Sequence, residues 1–191
     1  MHTADAVRLL LIYKYGGLYL DLDYVVLRDL SHYKNMLLEE GDHPGGGTIA
    51  VTNSAFMFTA KHPFLLAAMK ALEAGYDNKC WACIGPILLT RVAKKITNVT
   101  MIQDIPASAN LNVTLMKRMM PVHWTAAQGL YFPEKPVSFK TWEAMFENAS
   151  TVHFFGFMTS GLVVHDDPRY SAYAVLGPRY CPNAYYSTKY L

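Results

Sequence analysis

Gly16-Gly17-Leu18-Tyr19-Leu20-Asp21-Leu22-Asp23 is the stretch from which the fold is read: a glycine pair, a short apolar run and two carboxylates two residues apart, leading into Tyr24-Val25-Val26-Leu27. In an extended segment the side chains at i and i+2 leave the same face, so Asp21 and Asp23 are expected side by side with Leu20 and Leu22 turned to the core. Two carboxylates held that close repel each other. A divalent cation relieves the repulsion, because hard cations take oxygen ligands and often use one or two carboxylates together with substrate phosphates. A strand end carrying two solvated acids is the other reading of the same residues. Repulsion alone predicts that Asp23→Asn leaves thermal stability unchanged or raises it.

Upstream, the spacing of Val7, Leu10, Leu11 and Tyr15 predicts a buried helix of about three turns, with Thr3 as its N-cap and Gly16 as its stop. Asp5 and Arg8 lie three apart and share a face of that helix. The default for such a pair is an exposed ion pair contributing about 0.2–0.5 kcal/mol. A helix that delivers directly into the acidic strand also implies earlier strands of the sheet before Met1, so the chain reads as a fragment.

Downstream, Leu30 to Glu40 reads as helical or irregular, and Gly41-Asp42-His43-Pro44-Gly45-Gly46-Gly47 as a loop. Thr48 to Thr59 alternates into a buried strand interrupted at Asn53-Ser54. His62-Pro63 opens an amphipathic helix through Phe64, Leu65, Ala68, Met69 and Leu72. A further helix begins at Gly85-Pro86, carries Leu88, Leu89, Val92 and Ala93 on one face, and ends near Asn98. Prolines at 106, 121, 133 and 136 divide residues 99–152 into short strands and turns. A histidine inside an apolar strand, as in Thr151-Val152-His153-Phe154-Phe155-Gly156-Phe157, is commonly a satisfied core residue. Its place at the end of a hydrophobic strand far from Asp21 and Asp23 also suits a third metal ligand, and an imidazole would favour manganese over magnesium or calcium.

Composition bounds these readings. The chain has 191 residues, 52% hydrophobic and 17% charged, enough apolar material for one α/β domain spanning 1–191. Basic residues exceed acidic ones by 17 to 15 and no block of five like charges occurs, which argues against a nucleic-acid partner. No apolar run reaches the roughly 18 residues of a membrane span, and Asp5 and Arg8 interrupt any leader pattern. Cys80, Cys83 and Cys181 are too few for a disulfide scaffold, and one Cys-x-x-Cys pair is a poor zinc signal. Sequons at Asn98, Asn112 and Asn148 point toward the secretory pathway.

His2-Thr3-Ala4-Asp5-Ala6-Val7-Arg8 followed by Tyr13-Lys14-Tyr15-Gly16-Gly17-Leu18-Tyr19-Leu20-Asp21-Leu22-Asp23 resembles the donor-binding block of the lactosylceramide α-1,4-galactosyltransferase and α-1,4-N-acetylglucosaminyltransferase family. Asn53-Ser54-Ala55-Phe56-Met57, His62-Pro63-Phe64-Leu65, Gly85-Pro86-Ile87-Leu88-Leu89-Thr90-Arg91-Val92 and Pro121-Val122-His123-Trp124 continue the resemblance in family order. The spacing of Asp5, Arg8, Tyr19 and the Asp-x-Asp pair is also similar to that of the clostridial glucosylating toxins. One departure is that the family's late histidine runs on into Trp-Asn-Lys, whereas here Phe155-Gly156-Phe157 follows. His153-Phe154-Phe155-Gly156 is instead similar to the His-Phe-x-Gly metal motif of glycogenin-like and bacterial galactosyltransferases.

The resemblance implies a GT-A type, Rossmann-like nucleotide-diphospho-sugar transferase domain lacking its first strand or strands. It implies a retaining glycosyltransferase that moves galactose or an N-acetylhexosamine from a UDP-sugar in α-1,4 linkage to a glycolipid or glycan acceptor, with Mn2+ as cofactor. Its place would be the lumenal side of the Golgi membrane, reached through an anchor outside residues 1–191. By the same likeness Asp5 and Arg8 would bind donor sugar hydroxyls and Tyr19 would line the donor pocket. Asp23 would ligate the metal with His153, and Asp21 would reach the metal or the ribose. Asn53, Gly85 and Pro86 are expected to line the pocket on the acceptor side. The alternative is a truncated or degenerate homologue that binds metal or sugar nucleotide without turnover.

Overall fold

The computed structural model describes residues 2–39, 51–75, 80, 83–99, 105–115, 119–120, 122–162 and 164–187; the expected loop at 41–47 and the start of the strand expected from Thr48 lie outside them. The chain forms two compact units, Met1–Asp21 with Ser31–Met116, and Leu22–Leu30 with Lys117–Leu191.

The first unit opens on α1 (His2–Tyr15), which already includes Thr3, so Thr3 is not its N-cap. The helix presents a different face from the one its apolar spacing suggests. Asp5, Arg8, Leu9 and Ile12 are buried, whereas Val7, Leu10, Leu11 and Tyr15 are exposed. Polar groups can take the inward face because partners there compensate their desolvation. The Gly16 N–H closes the helix on the Ile12 carbonyl at 2.8 Å. The backbone then turns through φ +69° at Gly16, where a Cβ would lie 2.7 Å from the Ala60 nitrogen, so only glycine fits.

This turn feeds β1 (Gly17–Leu20), the edge of a four-stranded sheet that also contains β3 (Met36–Glu39), β4 (Val51–Phe58) and β5 (Asn112–Leu115) in the order β1-β4-β3-β5. β4 runs antiparallel to β1 and β3, and β3 parallel to β5. Of the segment expected to be helical or irregular at 30–40, residues 30–35 are irregular and Met36–Glu39 form β3 instead. Met36, Leu37 and Leu38 favour helices in isolation, but here they are wholly buried between two strand partners, and that context overrides propensity. β4 is continuous, but its pairing with β3 shifts register between Leu37↔Phe56 and Glu39↔Val51, so an irregularity falls at the expected interruption, Asn53-Ser54.

Helices α2 (Pro63–Ala74) and α3 (Pro86–Thr97) begin where their sequences predict, and α3 ends where its sequence predicts. The His62 side chain caps α2 by accepting from the Phe64 N–H, and Asn98 ends α3 in the left-handed conformation. Leu9, Phe56, Phe58, Phe64, Leu65, Leu88 and Leu89 share one core, each large side chain contributing about 1.5–3 kcal/mol on burial. Ahead of α3, Cys80 and Cys83 form a disulfide, and Cys181 is free.

In the second unit β2 (Tyr24–Val26) pairs antiparallel with β6 (Thr151–His153), in register Tyr24↔His153, Val25↔Val152 and Val26↔Thr151. The described residues between 119 and 152 are more helical than the short strands and turns that the prolines suggest. They hold α4 (Trp124–Tyr131), capped by His123, and α5 (Phe139–Phe146), whose Ser138 cap accepts from the Thr141 N–H. Capping residues just after the prolines start these helices, so the prolines mark their beginnings. A short α6 (Gly156–Thr159), α7 (Ala172–Tyr180) and α8 (Pro182–Ser187) complete the unit. Its buried side chains include Tyr131, Trp142, Val152, Phe154 and Tyr185, and the Trp142 indole N–H donates to the Pro168 carbonyl at 2.8 Å.

Between the units' strands the chain turns at Leu22 and Asp23. β1 ends at Leu20, so the acidic pair is not an extended strand end. Leu22, expected in the core, is 105% exposed, because a turn at that position points its side chain to solvent.

Candidate functional site

In the first unit the expected residues gather around Arg8. Its Nε donates to the Ala4 carbonyl (3.3 Å) and its Nη1 to the Asn53 carbonyl (2.7 Å). Nη1 also lies 3.1 Å from Asp21 Oδ1, and Nη2 lies 3.4 Å from Asp5 Oδ1. The guanidinium carbon sits over the Tyr19 ring, 4.6 Å from its centroid. Asp5 and Arg8 are 8% and 9% exposed, so they are not the solvated surface pair that their spacing alone suggests. A buried guanidinium with this many acceptors is held rigidly.

Tyr19 donates its hydroxyl to Asp21 Oδ1 at 2.7 Å. Burial, the hydrogen bond to Asp21 and the charge of that carboxylate push the Tyr19 hydroxyl up to about 12. It is therefore a protonated donor at neutral pH. Oδ1 of Asp21 thus faces two donors, while Oδ2 has none among the described residues. Asn53, on β4, donates its side-chain amide to Asp5 Oδ1 at 2.6 Å, and Gly85 lies directly behind it. Pro86 follows as the half-buried first residue of α3.

Asp23 belongs to the second unit. β2–β6 pairing sets its main chain beside the late histidine, with the Phe154 N–H donating to the Asp23 carbonyl at 2.9 Å. His153 Nε2 stands 3.2 Å from Asp23 Oδ1, and the Gly156 N–H donates to Oδ2 at 2.6 Å. Burial opposes ionisation of Asp23, but the His153 hydrogen bond and charge and the Gly156 N–H together bring its carboxyl below the usual value. The His153 ring lies between Tyr24, stacked at 4.1 Å, and Phe155, tilted at 4.0 Å. Its Nδ1 is buried without a hydrogen-bond partner among the described residues. Phe155 itself adopts φ +51°, uncommon for a bulky residue, and this turn brings the Gly156 N–H to Asp23.

The chemistry of this pair fits a divalent cation. When Nε2 carries a proton it donates to Oδ1; when it does not, a nitrogen and an oxygen lone pair face the same point, a mixed donor set suited to a borderline cation. Sequence reasoning missed Gly156 as a donor to Asp23 and Tyr24 and Phe155 as the walls around His153. Gly156 has a signal in His153-Phe154-Phe155-Gly156; nothing in the sequence marks Tyr24. The three sequon asparagines are exposed, and Asn112 donates its amide to the Lys34 carbonyl at 2.6 Å.

Residues 57–188 match the family model "Alpha 1,4-glycosyltransferase conserved region", and residues 1–44 match "Glycosyltransferase sugar-binding region containing DXD motif". The chain is 31% identical over 184 residues to a lactosylceramide 4-alpha-galactosyltransferase of Rattus norvegicus, covering 95% of this chain and 48% of that protein. It is 27% identical over 145 residues to an alpha-1,4-N-acetylglucosaminyltransferase of Homo sapiens, covering 76% of this chain and 37% of that protein. The chain thus spans about half the length, or less, of these two relatives. No solved structure matches it.

Proposed function

The chain belongs to the alpha 1,4-glycosyltransferase family, and on that premise we propose that it transfers galactose or an N-acetylhexosamine from a UDP-sugar to a glycolipid or glycan acceptor, in α-1,4 linkage and with retention of configuration. The reading extends to one GT-A type domain over 1–191 acting in the Golgi lumen, with glycans on Asn98, Asn112 and Asn148. The observation that carries it is the grip on Asp23, in which an imidazole and a backbone N–H from more than 120 residues later close on one carboxylate.

In this reading Asp23 and His153 hold Mn2+, with Asp21 two residues along the chain as the further ligand. When bound, the metal stabilises the negative charge that develops on the diphosphate as the sugar–phosphate bond breaks. Asp5 and Arg8 meet the donor sugar hydroxyls. Arg8 is already fixed by Asp5, Asp21 and Asn53, so its contribution is preorganised, with little side-chain entropy left to lose. Tyr19 lines the donor pocket and orients Asp21 as a hydrogen-bond donor, leaving Oδ2 for ribose or metal. Asn53, Gly85 and Pro86 line the pocket on the acceptor side.

Titrating Mn2+ and then UDP-galactose or UDP-N-acetylhexosamine, followed by transfer to a lactosyl acceptor, tests the proposal. Metal-dependent donor binding with a new α-linked product is expected. A second reading, binding without turnover, is favoured by Phe155-Gly156-Phe157, which brings no cation to a diphosphate; donor binding without product would establish it. Absence of both binding and product sinks both readings.

A further inference from the structure

We propose that Gly85, at the head of α3, is a positioning residue whose missing side chain holds Asn53 against Asp5 and so sets the geometry around Arg8. The inference rests on the donor-binding reading of Asp5 and Arg8 for its consequence, but its geometry stands independently. Asn53 touches both residues: its side-chain amide donates to Asp5 Oδ1 at 2.6 Å, and its carbonyl accepts from Arg8 Nη1 at 2.7 Å.

A Cβ on Gly85 would lie 2.4 Å from Asn53 Nδ2, 2.9 Å from its Cγ and 3.3 Å from its Oδ1. The atom most severely struck is thus the one that donates to Asp5. Neither side can give way cheaply. Gly85 is buried, its carbonyl accepts the Leu89 N–H at 3.1 Å, and α3 is anchored by buried Leu88, Leu89, Val92 and Ala93. Asn53 is the third residue of β4, beside Ser54, whose carbonyl accepts the Asp21 N–H at 2.9 Å, and its side chain has only two torsions to yield. A methyl group at position 85 therefore drives the Asn53 amide off Asp5 and disturbs the carbonyl that holds Arg8. α3 is in this way built into the donor group, although it supplies no charged residue to it.

Four chains test this: the parent, Gly85→Ala, Asn53→Ala and the double variant, each measured for melting temperature, Mn2+ affinity and UDP-galactose affinity in the presence of Mn2+. Gly85→Ala is expected to lower the melting temperature by about 5 °C, as overpacking of a chain this size does. It should weaken UDP-galactose binding by about tenfold or more, the loss of a charged hydrogen bond, and leave Mn2+ affinity within about threefold. In the Asn53→Ala background, adding Gly85→Ala should lower neither melting temperature nor donor affinity further. A penalty just as large in that background would overturn the inference, because it would lie in the backbone of Gly85. A fall in melting temperature with donor affinity unchanged would overturn it as well. If the parent binds Mn2+ but no UDP-sugar, the donor reading falls, and the thermal cycle together with the Asn53 side-chain amide resonance decides the inference. That resonance must shift in Gly85→Ala if the inference holds.

Discussion

Asp21 and Asp23 stand two positions apart, yet they are held in opposite ways. Asp21 is held by its own neighbourhood, the Tyr19 hydroxyl two residues back and Arg8 on the preceding helix. Asp23 is held by His153 and Gly156, more than 120 residues later, through the pairing of β2 with β6. Around Arg8, charges of both signs are buried together and neutralise one another. Around Asp23, one carboxylate is stabilised by an imidazole, a backbone N–H and a strained turn. The first arrangement spreads its interactions over a network; the second concentrates them in few contacts.

The largest expected effect follows from the first arrangement. Arg8→Ala leaves Asp5 and Asp21 without their shared cation and should cost about 3–5 kcal/mol, measured by urea unfolding. A cost under about 1 kcal/mol would show that the group is not mutually dependent. Asp23→Asn is the counterpart in the second unit. Carboxylate repulsion alone predicts no loss of stability, but the carboxyl lies below its usual value because its contacts favour the charged form. The substitution should instead cost about 1 kcal/mol, while abolishing Mn2+-dependent donor binding. A stabilised Asp23→Asn chain would restore repulsion as the dominant effect.

Acid separates the units by a gentler route. His62 accepts from the Phe64 N–H through Nδ1, and its Nε2 lies 3.2 Å from the Asn110 carbonyl, an arrangement that requires the neutral ring. Burial lowers its affinity for a proton, with the Asn110 carbonyl partly opposing. The unfolded chain therefore takes up that proton first. The stabilisation is complete above the unfolded value of 6.5 and is lost as pH falls from there toward the folded value. His62→Asn, an N-cap that does not titrate, should flatten the melting-temperature profile of the first unit in that window. An unchanged profile would assign the acid sensitivity elsewhere. The smallest effect is expected at the boundary: Leu22→Ser should change stability by less than about 0.5 kcal/mol, since the side chain is wholly exposed. A larger loss on unfolding would return Leu22 to a core role.

Much of the framework was legible. Gly16 as a stop, His62-Pro63 and Gly85-Pro86 as starts and Asn98 as an end are local signals, and local hydrogen bonds realise them. The shared face of Asp5 and Arg8 follows from helical period. What was not legible depends on context. Met36-Leu37-Leu38 became a strand because two others flank it, and residues 124–131 and 139–146 became helices behind capping side chains masked by nearby prolines. Val7, Leu10 and Leu11 look like a core stripe and are exposed, because the polar pair on the other face has buried partners that only folding supplies.

The order of residues alone singled out the groups proposed to carry this protein's chemistry: three acids, an arginine, a tyrosine and a late histidine at a recognisable spacing. Folding settled which of them touch, turning an apparent surface ion pair into a buried hub and joining Asp23 to His153 across the chain. The reason is one of range: propensity, capping and periodicity act over a few residues, whereas desolvating a charge is tolerable only where distant partners already wait for it.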